Sequence, residues 1–212
     1  NRGSHDIVYD PVRRRTVLFG GDTNSSIGDS ETWEWDGAGE GSWTRRNILG
    51  PGSRGGHKMV YDTQSAVTIL YGGWDNTGTL VGETWEYNAT SWNLKAIEYP
   101  SPRYLHAMAF DSARNLTVLF GGTYYDNGDV VNNETWLWNG QRWTQPSIAG
   151  TLPSPRLFHA MAFDSNRGVS VLFGGSNSFF GVRNNETWEF NGAAWSLRST
   201  SGPSPRRGHA MA

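Results

Sequence analysis

The stretch SPRLFHAMAFDSNRGVSVLFGG, Ser154 to Gly175, decides the fold. It runs Arg-x-x-His, a short apolar run, a turn headed by Asp, a second apolar run, then Gly-Gly. The same frame stands as SPRYLHAMAFDSARNLTVLFGG at 101–122, SRGGHKMVYDTQSAVTILYGG at 53–73 and NRGSHDIVYDPVRRRTVLFGG at 1–21. A fifth copy opens with SPRRGHAMA at 204–212. The Gly-Gly pairs begin at Gly20, Gly72, Gly121 and Gly174, with spacings of 52, 49 and 53 residues. Self-similarity at such a period marks a repeat architecture, in which one small structural unit recurs.

Each period divides into four short strands. The first follows the histidine. In HAMAFD, alternation puts His106, Met108 and Phe110 on one face and the small Ala107 and Ala109 on the other, which suits a crowded innermost strand. Asp10, Asp62, Asp111 and Asp164 then head turns, because a carboxylate can accept from backbone amides two residues on. The second strand, TVLFGG or a near copy, is rich in β-branched and aromatic residues. Its Gly-Gly permits positive φ or a close backbone approach. The third reads ETWEW, ETWEY, ETWLW or ETWEF. Tight hairpin turns lead to a fourth strand, starting at Trp43, Trp92, Trp143 and Trp195, which is expected at the rim. Trp33, Trp85, Trp136 and Trp188 on the third strand are expected to pack between units, on the face opposite the preceding Glu.

HAMAFD…VLFGG…ETWEW, repeated four times in register, resembles the kelch-repeat family in its secreted bacterial style. The resemblance covers essentially the whole chain and implies an all-β kelch-type β-propeller. Four four-stranded blades are visible, at about 1–50, 51–100, 101–152 and 153–203, and 204–212 starts a fifth repeat. Residues 2–10 supply one first strand and 206–212 begin another, which leaves three readings: part of a larger ring completed by further blades, a ring completed by a second chain, or a closed four-bladed ring.

Composition narrows the function. The net charge of −2 gives no bulk electrostatic case for nucleic acid or an anionic membrane. No apolar run approaches the ~20 residues of a membrane span. Cysteine is absent, which removes disulfides, thiolate catalysis and zinc–thiolate sites. The chain begins at Asn1 without a signal peptide and reads as a processed product or an excised piece.

The five histidines, including His57, His106 and His159, all sit in the repeat frame, as do Arg54, Arg103 and Arg156. A catalytic centre breaks the symmetry of its scaffold, so these are read as structural. Each Arg is paired in expectation with the repeated Glu83, Glu134 or Glu186. The sharper alternative is an anion-binding ring of arginines. Copper radical oxidases of this architecture need a cysteine, which is missing here, and the Asp-x-Gly of a sialidase Asp-box does not precede the Thr-Trp pairs. No enzyme, metal or cofactor is expected.

What differs between copies is more telling. The loops after Gly-Gly carry Trp74, Asp75, Tyr124, Tyr125, Asp126, Phe179 and Phe180, whereas the first blade's DTNSSIGDS is polar. Aromatics beside Asp and Asn suit a carbohydrate or protein ligand on the face that also carries Arg-x-x-His. The expected function is a non-enzymatic binding or scaffold module, extracellular or at the cell surface. Two alternatives remain: part of a carbohydrate-active enzyme with catalytic residues outside this chain, or a structural repeat of an extracellular assembly.

Overall fold

A computed structural model describes residues 2–23, 28–125 and 128–212. Four antiparallel sheets, each of four strands in chain order, follow the repeats. Blade one is Asp6–Asp10, Arg15–Phe19, Thr32–Trp35 and Trp43–Arg46. Blade two is Lys58–Asp62, Val67–Tyr71, Thr84–Tyr87 and Trp92–Ala96. Blade three is Ala107–Asp111, Leu116–Phe120, Thr135–Trp138 and Trp143–Thr144. Blade four is Ala160–Asp164, Val169–Phe173, Thr187–Phe190 and Trp195–Ser199. Among the described residues no helix is long and apolar enough to cross a membrane.

The turn chemistry is the one the repeat encodes. Each turn aspartate accepts two backbone N–H groups, as Asp10 does from Val12 and Arg13, both at 3.0 Å. The Gly-Gly pairs do more than stop a strand. Gly21 N–H donates to Arg54 O at 2.8 Å and Gly175 N–H to Arg206 O at 2.9 Å, so each pair seats the linker of the next repeat. A Cβ on Gly20 would lie 2.5 Å from Arg54 O, which no other residue tolerates.

The chain forms two compact units, Asn1–Tyr104 with blades one and two, and Leu105–Ala212 with blades three and four. In the first, Val17 and Phe19 of blade one meet Met59, Leu70, Tyr87 and Trp92 of blade two. In the second, Val118, Phe120 and Leu137 meet Met161, Leu172, Trp188 and Trp195. Two polar pins repeat inside these apolar joints. Trp92 Nε1 donates to Thr32 Oγ1, and Trp195 Nε1 to Thr135 Oγ1, each at 2.9 Å. Tyr87 Oη also donates to Glu34 Oε1 at 2.9 Å.

The fourth strand is the outer edge of each sheet, as expected, yet Trp92, Trp143 and Trp195 at its start are buried; Trp43 alone of that set is exposed. A wide ring with one N–H fits a joint that offers a single hydroxyl acceptor. One expectation about tryptophan needs correction. The third-strand indoles lie on the same face as the preceding glutamate, because residues two apart in a strand share a face. Trp33, Trp85, Trp136 and Trp188 donate from Nε1 to Glu31, Glu83, Glu134 and Glu186 at 2.8–3.0 Å. Trp188 is buried in its joint, while Trp33, Trp85 and Trp136 are half-buried.

Candidate functional site

The repeated polar residues form a closed network within the frame. Arg54 is buried and donates to Glu83 Oε2 at 2.7 Å and to the Gly52 and Gly72 carbonyls. Arg156, also buried, donates to Glu186 Oε2 at 2.6 Å, Gly174 O at 3.0 Å and Ser154 O at 3.0 Å. Arg103 is buried and donates to Ser101 O at 3.0 Å and Ser101 Oγ at 2.8 Å. Burial alone would raise Glu83 and Glu186, but the guanidinium and indole donors hold both carboxyls below their usual range. Arg54 and Arg156 are therefore engaged inside the protein, and an anion ring has no free guanidinium faces from them.

The histidines sit behind the arginines. His57 and His159 lie edge-on to Phe19 and Phe120 at 5.5 Å, and His159 Nε2 is 3.1 Å from Phe120 O. Burial, with Arg54 and Lys58 adding to it, drives His57 well below the usual imidazole value, so it is neutral near pH 7. His106 is buried too. Among the described residues, no three His, Asp or Glu side chains group as metal ligands do.

The variable loops emerge beside these linkers, since Gly55 bridges to Trp74 and Leu157 to Ser176. Their aromatics divide into two kinds. In the first unit Trp74 is no exposed anchor, contrary to its expected role. It lies across Gly55 and Gly56 and meets Tyr104 edge-on at 5.0 Å. A Cβ on Gly56 would come within 2.0 Å of the indole, so the Gly-Gly of this linker and the tryptophan are one packing solution. Asp75 is likewise occupied: its Oδ1 accepts from Thr77 N, Thr77 Oγ1 and Thr79 N at 2.6–2.9 Å. The Thr77 hydroxyl, ahead of the backbone donors, lowers its pKa.

The second unit is different. Thr123–Tyr125 pairs with Asp129–Val131 in a two-stranded ribbon; Tyr124 is half-buried and Tyr125 is 72% exposed. Asp126 lies outside the described residues. Asp129 of this ribbon and Ser178, Phe179 and Phe180 of the blade-four loop line a shallow cleft of about 510 Å³. Phe180 is 98% exposed and Val182 79%. Phe179 is half-buried against Phe158 at 5.9 Å, and the Arg207 guanidinium covers the Phe158 ring at 5.2 Å while donating to Phe179 O. Phe158 has φ 57°, and the residue before the repeated histidine is left-handed in every copy (Ser4 52°, Gly56 68°, Leu105 57°, Gly208 67°), so the turn belongs to the frame and blade four places a bulky ring on it. The structure thus brings Tyr125, Phe179 and Phe180 to one surface and places Trp74 and Asp75 in other work.

Phe158 and Arg207 support that surface and were not anticipated. The signal for both was present in the frame itself. The two positions between Arg and His read Gly-Ser, Gly-Gly, Tyr-Leu, Leu-Phe and Arg-Gly, so they vary as freely as the loops do.

A family model, the KLHDC2/KLHL20/DRC7 kelch-repeats domain, matches residues 4–212. The Rab9 effector protein with kelch motifs from Homo sapiens, and that from Bos taurus, are each 35% identical to this chain over 86 residues. That stretch is 39% of this chain and 22% of each relative. Neither likeness carries the secreted bacterial character expected from the style of the repeats. With the repeat frame, the four-stranded sheets and a family match across nearly the full length, the chain belongs to the kelch-repeat family.

Proposed function

We propose that this chain is a protein-binding module whose contact surface is the loop cluster of blades three and four. Kelch repeats generally mediate protein–protein binding. The observation that carries the location is Phe180, 98% exposed at the mouth of a cleft whose floor is braced by Phe179, Phe158 and Arg207. The solvated Phe180 ring has little to contribute to folding, and Phe179 beside it, already braced, loses little freedom on binding. Tyr125 and Val182 extend the patch, and Asp129 and Arg183 give it a charged margin. Interface anchors have this makeup, an aromatic centre within a polar rim.

The relatives named as Rab9 effectors are kelch proteins named for a protein partner, the ligand class proposed here. Carbohydrate, the other class that loop aromatics suit, has no support from the comparisons. The test presents a peptide display library and a glycan array to the native chain and to a Tyr125→Ala, Phe180→Ala, Val182→Ser triple variant. The native chain should select peptides and the variant should bind them at least tenfold more weakly, with unchanged melting. Equal binding by both proteins, or selection of glycans alone, would sink the proposal.

A further inference from the structure

The blade-four loop is a closed turn. Gly181 N–H donates to Ser178 O at 3.3 Å, and Ser176 Oγ donates to the same carbonyl at 2.8 Å, which leaves Phe179 and Phe180 at the two corners. Asn177 lies over Gly181, where a Cβ would come 2.0 Å from its Oδ1, and the flanks pair through Ser176 and Arg183. Across the cleft stands the ribbon of blade three. Tyr125 and Asp129 are directly opposite each other in its register. Cross-strand partners share a face with their Cβ atoms about 5 Å apart, so the phenol ring and the carboxylate leave the ribbon on one side. Asp129 is exposed and lines the cleft.

The faces of aromatic rings are electronegative, and a carboxylate only accepts, so this cleft sets negative potential against apolar surface. A neutral apolar side chain would cover Asp129 without bringing it a donor, which costs desolvation. An acidic one would be repelled. A flat, weakly hydrated cation satisfies ring and carboxylate together. The chain already uses this chemistry on the back of the same turn, where the Arg207 guanidinium covers the Phe158 ring at 5.2 Å and donates to Phe179 O. Among the described residues no cation lines the cleft itself. The blade-two loop also sets a ring beside a carboxylate, but Trp74 is packed on its linker and Asp75 is turned onto Thr77 and Thr79.

We infer that this cleft takes an arginine side chain of a partner protein, with its guanidinium stacked on Phe180 and forked on the Asp129 carboxylate. The inference rests on the protein-binding reading above and adds the chemistry of the contact. Arginine fits better than lysine, because a planar guanidinium covers a ring face and can meet two carboxylate oxygens at once, whereas an ammonium is a compact, strongly hydrated point charge. The turn is closed before the partner arrives, so docking orders little of this loop.

The test titrates the full chain, followed by NMR, with acetylated and amidated heptapeptides of alanine and glycine that differ only in a central arginine, lysine, citrulline or norleucine. The arginine peptide should bind most tightly and the lysine peptide less so. The uncharged citrulline and norleucine peptides should bind about fivefold more weakly than arginine. Asp129→Asn should weaken the arginine peptide by about the same factor and leave the citrulline peptide unchanged. Phe180→Leu keeps apolar bulk without the ring and should narrow the gap between arginine and norleucine. Both side chains are exposed, so the melting temperature should not move. No binding of the arginine peptide at millimolar concentration overturns the inference. So does a norleucine peptide that binds as tightly, or an Asp129→Asn protein with unchanged affinity for arginine. Display-selected peptides that lack arginine yet need Phe180 would also overturn it while leaving the protein-binding reading standing, so the two fail separately.

Discussion

At the residue scale, stability rests on charges placed where water does not reach. The Arg156 guanidinium is fully buried, while its partner Glu186 keeps about a quarter of its side-chain exposure. Removing Glu186 leaves a buried cation with carbonyls but no counter-charge. We expect Glu186→Ala to cost about 3 kcal/mol, the lower end for breaking a buried pair because this one is partly wet, as read by urea unfolding; a loss within error of zero would count against the network. His57 adds a pH dependence. Its folded pKa lies well below the unfolded value of about 6.5. As pH falls through 6.5, the unfolded chain takes up a proton that the folded chain refuses, so stability declines from there. Glu83 and Glu186, whose folded pKa values are lowered, contribute stability that is present above about pH 4.5 and lost below it. The melting temperature should therefore begin to fall near pH 6.5 and fall more steeply below 4.5, and His57→Gln should flatten the first segment only. A native profile flat between pH 6.5 and 5 would remove this role for His57.

At the scale of the element, the repeated tryptophan–threonine pin ties the two blades of each unit together. Thr135→Val keeps the shape but orphans the buried Trp195 N–H, at a cost of about 1–3 kcal/mol. Thr187→Val, at the same place in the next blade, removes a hydroxyl from a half-exposed position and should cost less than about 0.5 kcal/mol in dilute protein. Equal costs, measured side by side, would contradict the assignment of the Thr135 hydroxyl to the Trp195 pin. The strands themselves were legible because alternation, turn aspartates and Gly-Gly recur in register. What alternation leaves open is which face meets a neighbour. It places the fourth strand at the outer edge, yet does not say that Trp92 and Trp195 at its start face the neighbouring blade. The Glu31–Trp33 contact was legible from the i, i+2 spacing and was misread. Trp74 shows a different limit: its partner is the absence of side chains at Gly55 and Gly56, and a vacancy carries no hydropathy signal.

At the scale of the whole molecule, the frame and the loops divide the labour. The frame recurs because each copy must seat the next linker on Gly-Gly, bury an arginine and close a joint. The loops escape those demands, and in the second unit they leave Tyr125, Phe180 and Val182 exposed, with Phe180 across a cleft from Asp129, the strand partner of Tyr125. The loop aromatics Tyr125, Phe179 and Phe180 were readable from their irregularity against the repeat, whereas the bracing depends on the Arg207 guanidinium lying over the Phe158 ring, a contact between residues 49 apart that no local pattern encodes. The central claim is that binding belongs to this surface and not to the frame. Its most direct test is hydrogen–deuterium exchange of the native chain with and without a display-selected peptide. Protection should appear at Thr123–Tyr125 and at 176–183, and leave the blade-one strands unchanged; protection confined to the blade strands, or to the Trp74 loop, would contradict it.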